Sequence, residues 1–271
     1  MKKYKKSRCL ATVPVCAVLC LPILMSAFNA RADLAWDETT TITLKLKDTE
    51  KQMSSEKQSY SLKGTVVRID YIGRGGATFY NFQNRAAVMV DFRQRTFVSV
   101  PVNDLIIQKR QDREKMKREF PKREAVIERQ EGEMRETTAA QLEAQKIKYG
   151  LWAKPYSIRL TEERAEIAGH NCIKYDGLSG GAVFQEVWVA EDIELDNQYK
   201  RYFANGMVQL DPQQHSHLTR VPGFPMKVVS RYGPGTVTRE VTHITDSKIT
   251  ADAFILPEDL KVSPYLNRPP Q

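Results

Sequence analysis

The sequence predicts an α+β fold, an antiparallel β-sheet interrupted by a long charged helical insertion and followed by one shorter helix. Three observations predict it. Short stretches of alternating apolar and polar residues recur on both sides of a central block; the turns between them are too short for parallel crossovers; and the block itself, about residues 103–149, is crowded with charged helix formers.

The first strand signal is TTTITLKLKD, where Ile42, Leu44 and Leu46 alternate with Thr41, Thr43, Lys45 and Lys47, as a half-buried strand requires. SLKGTVVRIDYI follows, with Val67, Ile69 and Tyr71 on one face. Gly73 to Gly76 (GRGG) then reads as a turn; it is not a phosphate cradle, because no helix signal comes after it. TFYNF, AAVMVDF and RTFVSVP read as short neighbouring strands, with Val88, Val90 and Phe92 facing one way and Met89 the other.

In the block, Asn103 or Asp104 is placed to cap a helix and Pro121 to break or restart it. Glu114 with Arg118, Glu119 with Arg123 and Glu131 with Arg135 are acid-before-base pairs at i,i+4 spacing. Residues 108–148 hold twelve basic and nine acidic side chains, and Met116, Phe120, Ile127 and Met134 supply only a narrow apolar stripe. Such an arm is either a solvated helical face or a partner-binding one. Beyond it YSIRL is a strand, EDIELDNQYKRYFANG a helix from near Asp192 to a stop at Gly206, and PMKVVSRY and TVTREVTHIT a hairpin turning at Gly233-Pro234-Gly235.

The amino terminus has the layout of a secretory signal peptide: a cationic start MKKYKKSR, an uncharged run from Cys9 to Phe28, and Ala30 and Ala32 flanking a cut that leaves Asp33 first. This predicts an exported, periplasmic chain, with residues 1–32 removed and 33–271 forming a single domain. The whole chain carries 41 basic and 33 acidic side chains; six basic and no acidic ones lie in the leader, which leaves 35 against 33. So balanced a chain has no general attraction for nucleic acid. Three of the four cysteines also fall in the leader, so Cys172 has no partner for a disulfide and the core alone must hold the fold.

AGHNCIKYDGLSGGAVFQEVWVAED, Ala168 to Asp192, is the stretch richest in chemical signals. Its G-x-S-x-G around Ser179 resembles a nucleophile elbow, which needs a strand before the serine and a helix after it. AVFQEVWVA instead alternates like a strand, so the glycines are read as hairpin residues and no catalytic residue is assigned. His170 and Cys172, with His215 and His217, have the residue types of a zinc site, but nothing in the sequence brings the pairs together. The expectation is no metal and no cofactor. Phe184 and Trp188 share a face opposite valines, so both sides of their strand need cover.

VRIDYIGRGGATFYNF, VMVDFRQRTFVSV, REFPKREAVIERQ, AEIAGHNCIKYDG with FQEVWVAED, and VTREVTHIT with FILPEDL together resemble a family of exported bacterial proteins catalogued as a domain of unknown function. The likeness covers most of residues 60–260. Its most specific pieces are A-G-x-x-C-x-K-Y, E-V-W-V-A-x-D and F-x-L-P; the departures are His170, where an aromatic is more usual, and Pro-Glu-Asp, where Pro-x-Gly-Tyr is common. More loosely the strand order is similar to periplasmic lipoprotein-carrier half-barrels. That likeness implies a curved sheet around helices, with an apolar concave face for acyl chains. The expected function is therefore non-enzymatic binding of lipid or lipoprotein acyl chains, with Tyr71, Met89, Phe184 and Trp188 as candidate ligand contacts. The alternative is an envelope adaptor docking a partner protein through the charged arm.

Overall fold

The computed structural model describes residues 33–46, 49–148, 156–245 and 248–263. The proposed signal peptide lies outside them. Among the described residues no helix is long and apolar enough to cross a membrane.

Strands β1 (Asp33–Leu46), β2 (Thr49–Lys63), β3 (Val66–Ile72), β4 (Gly76–Asn81), β5 (Ala86–Asp91) and β6 (Thr96–Pro101) form one meander. Helices α1 (Val102–Ile127) and α2 (Gly132–Lys148) follow. A second run comprises β7 (Tyr156–Ile167), β8 (His170–Ser179), β9 (Ala182–Ala190), β10 (Phe224–Tyr232) and β11 (Gly235–Thr245). Between β9 and β10 a π-helical segment, Tyr199–Ala204, continues into α3 (Asn205–Leu210) and α4 (Pro212–His215); β12 (Lys261–Val262) comes last. All twelve strands join one open, curled sheet in the order β12-β6-β5-β4-β3-β2-β1-β11-β10-β9-β8-β7. The α+β, half-barrel-like architecture expected from the sequence is the one observed. Every pairing is antiparallel except the two-residue β12, which lies parallel to β6.

The core follows from register. Leu34, Leu62 and Val67 form one cross-strand row and Trp36, Tyr60 and Ile69 the next, so large apolar side chains line up on the inner face of β1–β3. Trp36 stacks on Tyr60 at 4.6 Å between centroids and meets Phe203 and Phe224 edge-on at 5.9 and 5.2 Å. Such pairs are worth about 0.5–1.5 kcal/mol each beyond the area they bury. Tyr199, Phe203, Leu210 and Leu218 lower the helical cover onto this layer. On the outer face Phe79, Ala77 and Val90 are covered by Phe254, Leu256 and Leu260 of the carboxy-terminal FILPEDL stretch. Arg68 fixes that strap by donating to the Ala253 carbonyl at 2.7 Å while its guanidinium forks onto Asp70. At the free edge, β7 exposes Arg159, Glu162, Glu163, Arg164 and Glu166, a charged border that discourages pairing with another sheet.

Three elements depart from the sequence expectations. The outer half of β2, TEKQMSSEKQ, is strand despite having few apolar residues, because β1 supplies a full-length partner. Helix α1 runs unbroken through Pro121, and the chain reverses only at Gly132, whose φ of 63° suits glycine. Its start has Pro101 at the cap position, with no side-chain cap, so neither Asn103 nor Asp104 plays that part. The surface ion pairs use lysines three residues on, Glu114 with Lys117 and Glu119 with Lys122. Phe120, Ile127 and Leu142 give the two helices a small core of their own, from which Met134 stands out, 68% exposed.

The short helix also begins later than expected, where the Asp196 carboxylate accepts the Tyr199 N–H at 2.7 Å. It does not stop at Gly206. That glycine sits against the Phe82 ring, and a Cβ there would overlap ring carbons Cγ, Cδ1 and Cε1. Tyr80 stacks on Phe82 at 5.5 Å and Phe203 meets its edge at 6.3 Å, so the ring is held on two sides. Gly206→Ala gains about 1 kcal/mol of helix propensity but overpacks a core contact, which typically costs 1–3 kcal/mol. The expected outcome is net destabilisation by about 1 kcal/mol in urea unfolding. An alanine variant more stable than the parent would show that Phe82 yields.

Candidate functional site

The concave face is not filled from end to end. Between the sheet and the helices lies a cavity of about 460 Å³. Across β1 and β11 its floor is built in rungs: Thr40 opposite Arg239, Ile42 opposite Val237, Leu44 opposite Gly235. Tyr60, Ile69, Tyr71 and Tyr80 extend the floor sideways over β2–β4, and Met207, Gln214, His215 and the Gln145 side chain of α2 form the roof. Ile42 is 38% exposed and Met53 56%, so apolar surface remains uncovered along this wall.

One end of the cavity is polar. Arg239 Nη1 lies 3.1 Å from His215 Nε2, and Nη2 donates to the Gln214 carbonyl at 3.3 Å. A guanidinium only donates, so Nε2 is the acceptor and the imidazole proton sits on Nδ1, 3.2 Å from the Asp211 carbonyl. Burial, then the adjacent Arg239 charge, hold the His215 pKa well below the usual range. Glu38 lies on the same wall, and burial raises its pKa against the opposing pull of Arg239 and a long hydrogen bond from Thr40. Burial likewise raises the pKa of Tyr80, to about 12, so its phenol stays protonated.

Behind this end a second cavity of about 30 Å³ shares Glu38, Tyr60, Met207, His215 and Arg239 with the first. His217, fully buried, faces it; neither of its ring nitrogens nor the Tyr199 hydroxyl has a hydrogen-bond partner among the described residues. Burial first, then Arg239 and His215, depress the His217 pKa as well.

Of the four residues proposed from sequence as ligand contacts, Tyr71 lines the cavity, its hydroxyl 3.2 Å from that of Thr78. Met89 shares Tyr71's face but lies out on β5, 37% exposed, and is not among the lining residues. Phe184 is buried edge-on against Tyr156. Trp188 lies under the Lys174 ammonium at 5.8 Å, and that lysine binds Glu163 at 2.7 Å. The shared face expected for Phe184 and Trp188 does not form, because a bulge makes Phe184 the extra residue between Val183 and Gln185; Val187 and Val189 enter a separate cluster with Ile173, Tyr175 and Val228.

The suggestive polar residues fall elsewhere. Ser179 ends β8, Gly180 and Gly181 turn with φ of 57° and 88°, and β9 departs, a strand–turn–strand hairpin. His170 Nδ1 lies 2.9 Å from Asp192, and buried Cys172 donates to the His170 carbonyl, its thiol pushed up to about 11 chiefly by burial. His215 and His217 sit on the helical segment and not on a strand, and no group of three or more His, Cys, Asp or Glu able to hold a metal occurs among the described residues. Sequence reasoning missed Arg239 and Glu38. The signal was parity: Val237, Arg239 and Val241 share one face of β11, as Trp36 and Glu38 do on β1.

A family model described as a domain of unknown function, DUF4412, matches residues 116–260, more than half of the 271. The chain belongs to the DUF4412 family. The DUF4412 segment supplies Arg239, His215 and His217, whereas Glu38, Tyr60 and Tyr71 come from strands before it, so the cavity straddles the start of the matched region. No curated protein matches the chain. Among solved structures it is similar to an uncharacterized conserved protein from Thermus thermophilus, with 10% identity, 84% of this chain and 90% of that one covered, and a TM-score of 0.40. It is also similar to MucB in complex with MucA(peri), at 8% identity, 88% and 59% coverage and a TM-score of 0.36. The Pseudomonas aeruginosa MucA/MucB complex gives 9% identity, 86% and 59% coverage and a TM-score of 0.36. The chain spans just under three fifths of the MucB chains.

The two buried histidines make stability depend on pH. Folded, both hold protons more weakly than an ordinary histidine near 6.5. Below about that pH the unfolded chain takes up protons that the folded chain refuses, so their contribution is intact above it and is lost as the pH falls. Glu38, raised when folded, acts in the opposite sense as pH climbs from 4.5. His217→Leu isolates one histidine: between about pH 7.5 and 5.5 its urea-unfolding free energy is expected to fall less than the parent's. Identical slopes would show that His217 is not held neutral.

Proposed function

We propose that this DUF4412 protein is a non-enzymatic binding protein of the bacterial periplasm that holds the apolar part of an amphipathic molecule, a lipid or a lipoprotein acyl chain, between its concave sheet and helical cover. The observation that carries this reading is the cavity of about 460 Å³ walled by Ile42, Leu44, Tyr71, Tyr80, Tyr232 and Val237. Its size falls in the roughly 300–1,000 Å³ span of small-molecule sites, and its apolar walls with a few charged groups at one end are the usual make-up of such sites. The leader-like amino terminus supports the compartment.

Val237→Trp places an indole across the middle of the floor. A naphthylamine fluorophore that brightens in apolar sites is expected to bind the parent and to be displaced by long-chain lipids. The variant is expected to bind at least about tenfold more weakly, a loss of roughly 1.4 kcal/mol, while its thermal unfolding stays within a few degrees. Equal binding by parent and variant would move the site elsewhere, and native mass spectrometry of protein purified from the periplasm would show which lipid, if any, travels with it.

A second reading, an adaptor that docks an envelope protein, is favoured by the arm: α1 and α2 have their own core and leave Val126 57% and Met134 68% exposed. Removing residues 108–148 retains Val102, Leu105 and Ile106, the arm's contribution to the main core. The shortened chain is expected to keep its β-rich circular dichroism and a cooperative unfolding transition while losing any co-purifying envelope protein. Collapse of the sheet would make the arm structural.

A further inference from the structure

We propose that the ligand's polar end is a single carboxylate, as in a long-chain fatty acid, and that it pairs with Arg239 at the inner end of the cavity while the chain lies along the Ile42 and Val237 rung. This rests on the cavity being a ligand site and adds the headgroup's chemistry and position.

Arg239 feels the Glu38 carboxyl on the same wall but makes no direct contact with a carboxylate among the described residues. Its two contacts are a neutral imidazole and a carbonyl, and among the described residues it forms no ion pair. Its neighbours Lys227 and Glu240 pair with each other on the opposite face. A guanidinium has more N–H donors than these two contacts use, in a fork suited to a carboxylate. Two further observations point to a polar ligand group here. His217 and the Tyr199 hydroxyl face the adjoining small cavity with no hydrogen-bond partners among the described residues. And the charged groups of the floor, Glu38 and Arg239, lie together at one end, while beyond them Ile42, Val237 and Leu44 alternate with the uncharged Thr43 and Thr236.

The charge count selects a monoanion. Arg239 is the one lysine or arginine among the described residues lining the cavity, and the Glu38 carboxyl lies on the same wall. A doubly charged phosphate monoester would bring a second negative charge against Glu38 with only one guanidinium to meet it. The competing role for Arg239 is a tie between β11 and α4, since its two contacts, Gln214 and His215, both lie on that helix.

Displacement of the naphthylamine probe by palmitate, methyl palmitate and palmitoyl lysophosphatidic acid, on the parent chain and on Arg239→Gln, separates these roles. In the parent, palmitate is expected to bind roughly 10–100-fold more tightly than its methyl ester, as a charge-assisted pair in a desolvated site gives. In Arg239→Gln that gap closes, with the ester's affinity unchanged. Equal affinity for acid and ester in the parent overturns the proposal and leaves the cavity as a plain apolar site. Tighter binding of the phosphate lipid overturns the monocarboxylate. A variant that loses acid and ester alike makes Arg239 the tie. If Arg239→Gln does not fold, the parent's acid-to-ester ratio decides alone; if no chain displaces the probe, the ligand-site reading and this proposal fall together.

Discussion

The pairing of β1 with β11 is the contact on which the rest of the molecule depends. It joins a meander made before the helical arm to a run of strands made after it, and so turns two incomplete sheets into one curled surface. Neither half closes on itself: β1–β3 present the Trp36, Tyr60 and Ile69 layer, and the helices that cover it belong to the second half. The same ladder sets Thr40 against Arg239 and Ile42 against Val237, so the polar end and the apolar floor of the cavity share one register. A slip of one residue there would turn Arg239 to the outside and a neighbour from the solvent face inward.

Curvature is what separates the cavity from the core. The aromatic cluster of Trp36, Tyr60, Phe203 and Phe224 fills the concavity at one end, where the π-helical segment and α3 descend onto the sheet. Farther along β1 the side chains shorten to Thr40 and Thr43, and the roof is made of Met207, Gln214 and the tip of Gln145, which leave space beneath them. Filled and hollow regions thus follow one another along a single strand. Arg239, half-buried, stands at their boundary, where a charge is least costly because polar groups line both sides of it.

Much of the architecture was legible from alternation and turn residues. GRGG, the Gly180-Gly181 turn and Gly233-Pro234-Gly235 each announced a hairpin, and strand periodicity after Ser179 told a hairpin from a nucleophile elbow. What resisted reading depended on partners distant in sequence. The polar outer half of β2 is held by β1 and not by its own hydrophobicity, and Gly206, a plausible stop in isolation, is there because Phe82 needs the room. In the site, Tyr71 was legible because it continues the Val67 and Ile69 face. Phe184 and Trp188 drew attention by their size, yet the space lies over β1 and β11, where a threonine-rich strand and an arginine gave no hint of a hollow until their parity was matched.

The distance in sequence between the partners of the central ladder also bears on how the molecule is made. Ala35 and Thr245 lie about 210 residues apart in sequence, and contacts of such long range are slow to form. Until they form, Trp36 and Tyr60 lack their lid, and a growing chain carries a greasy half-sheet that calls for chaperoning. Because β11 also brings Arg239 and Val237, the hollow is incomplete without that strand, and any guest held there would clamp the joint between the two halves of the sheet.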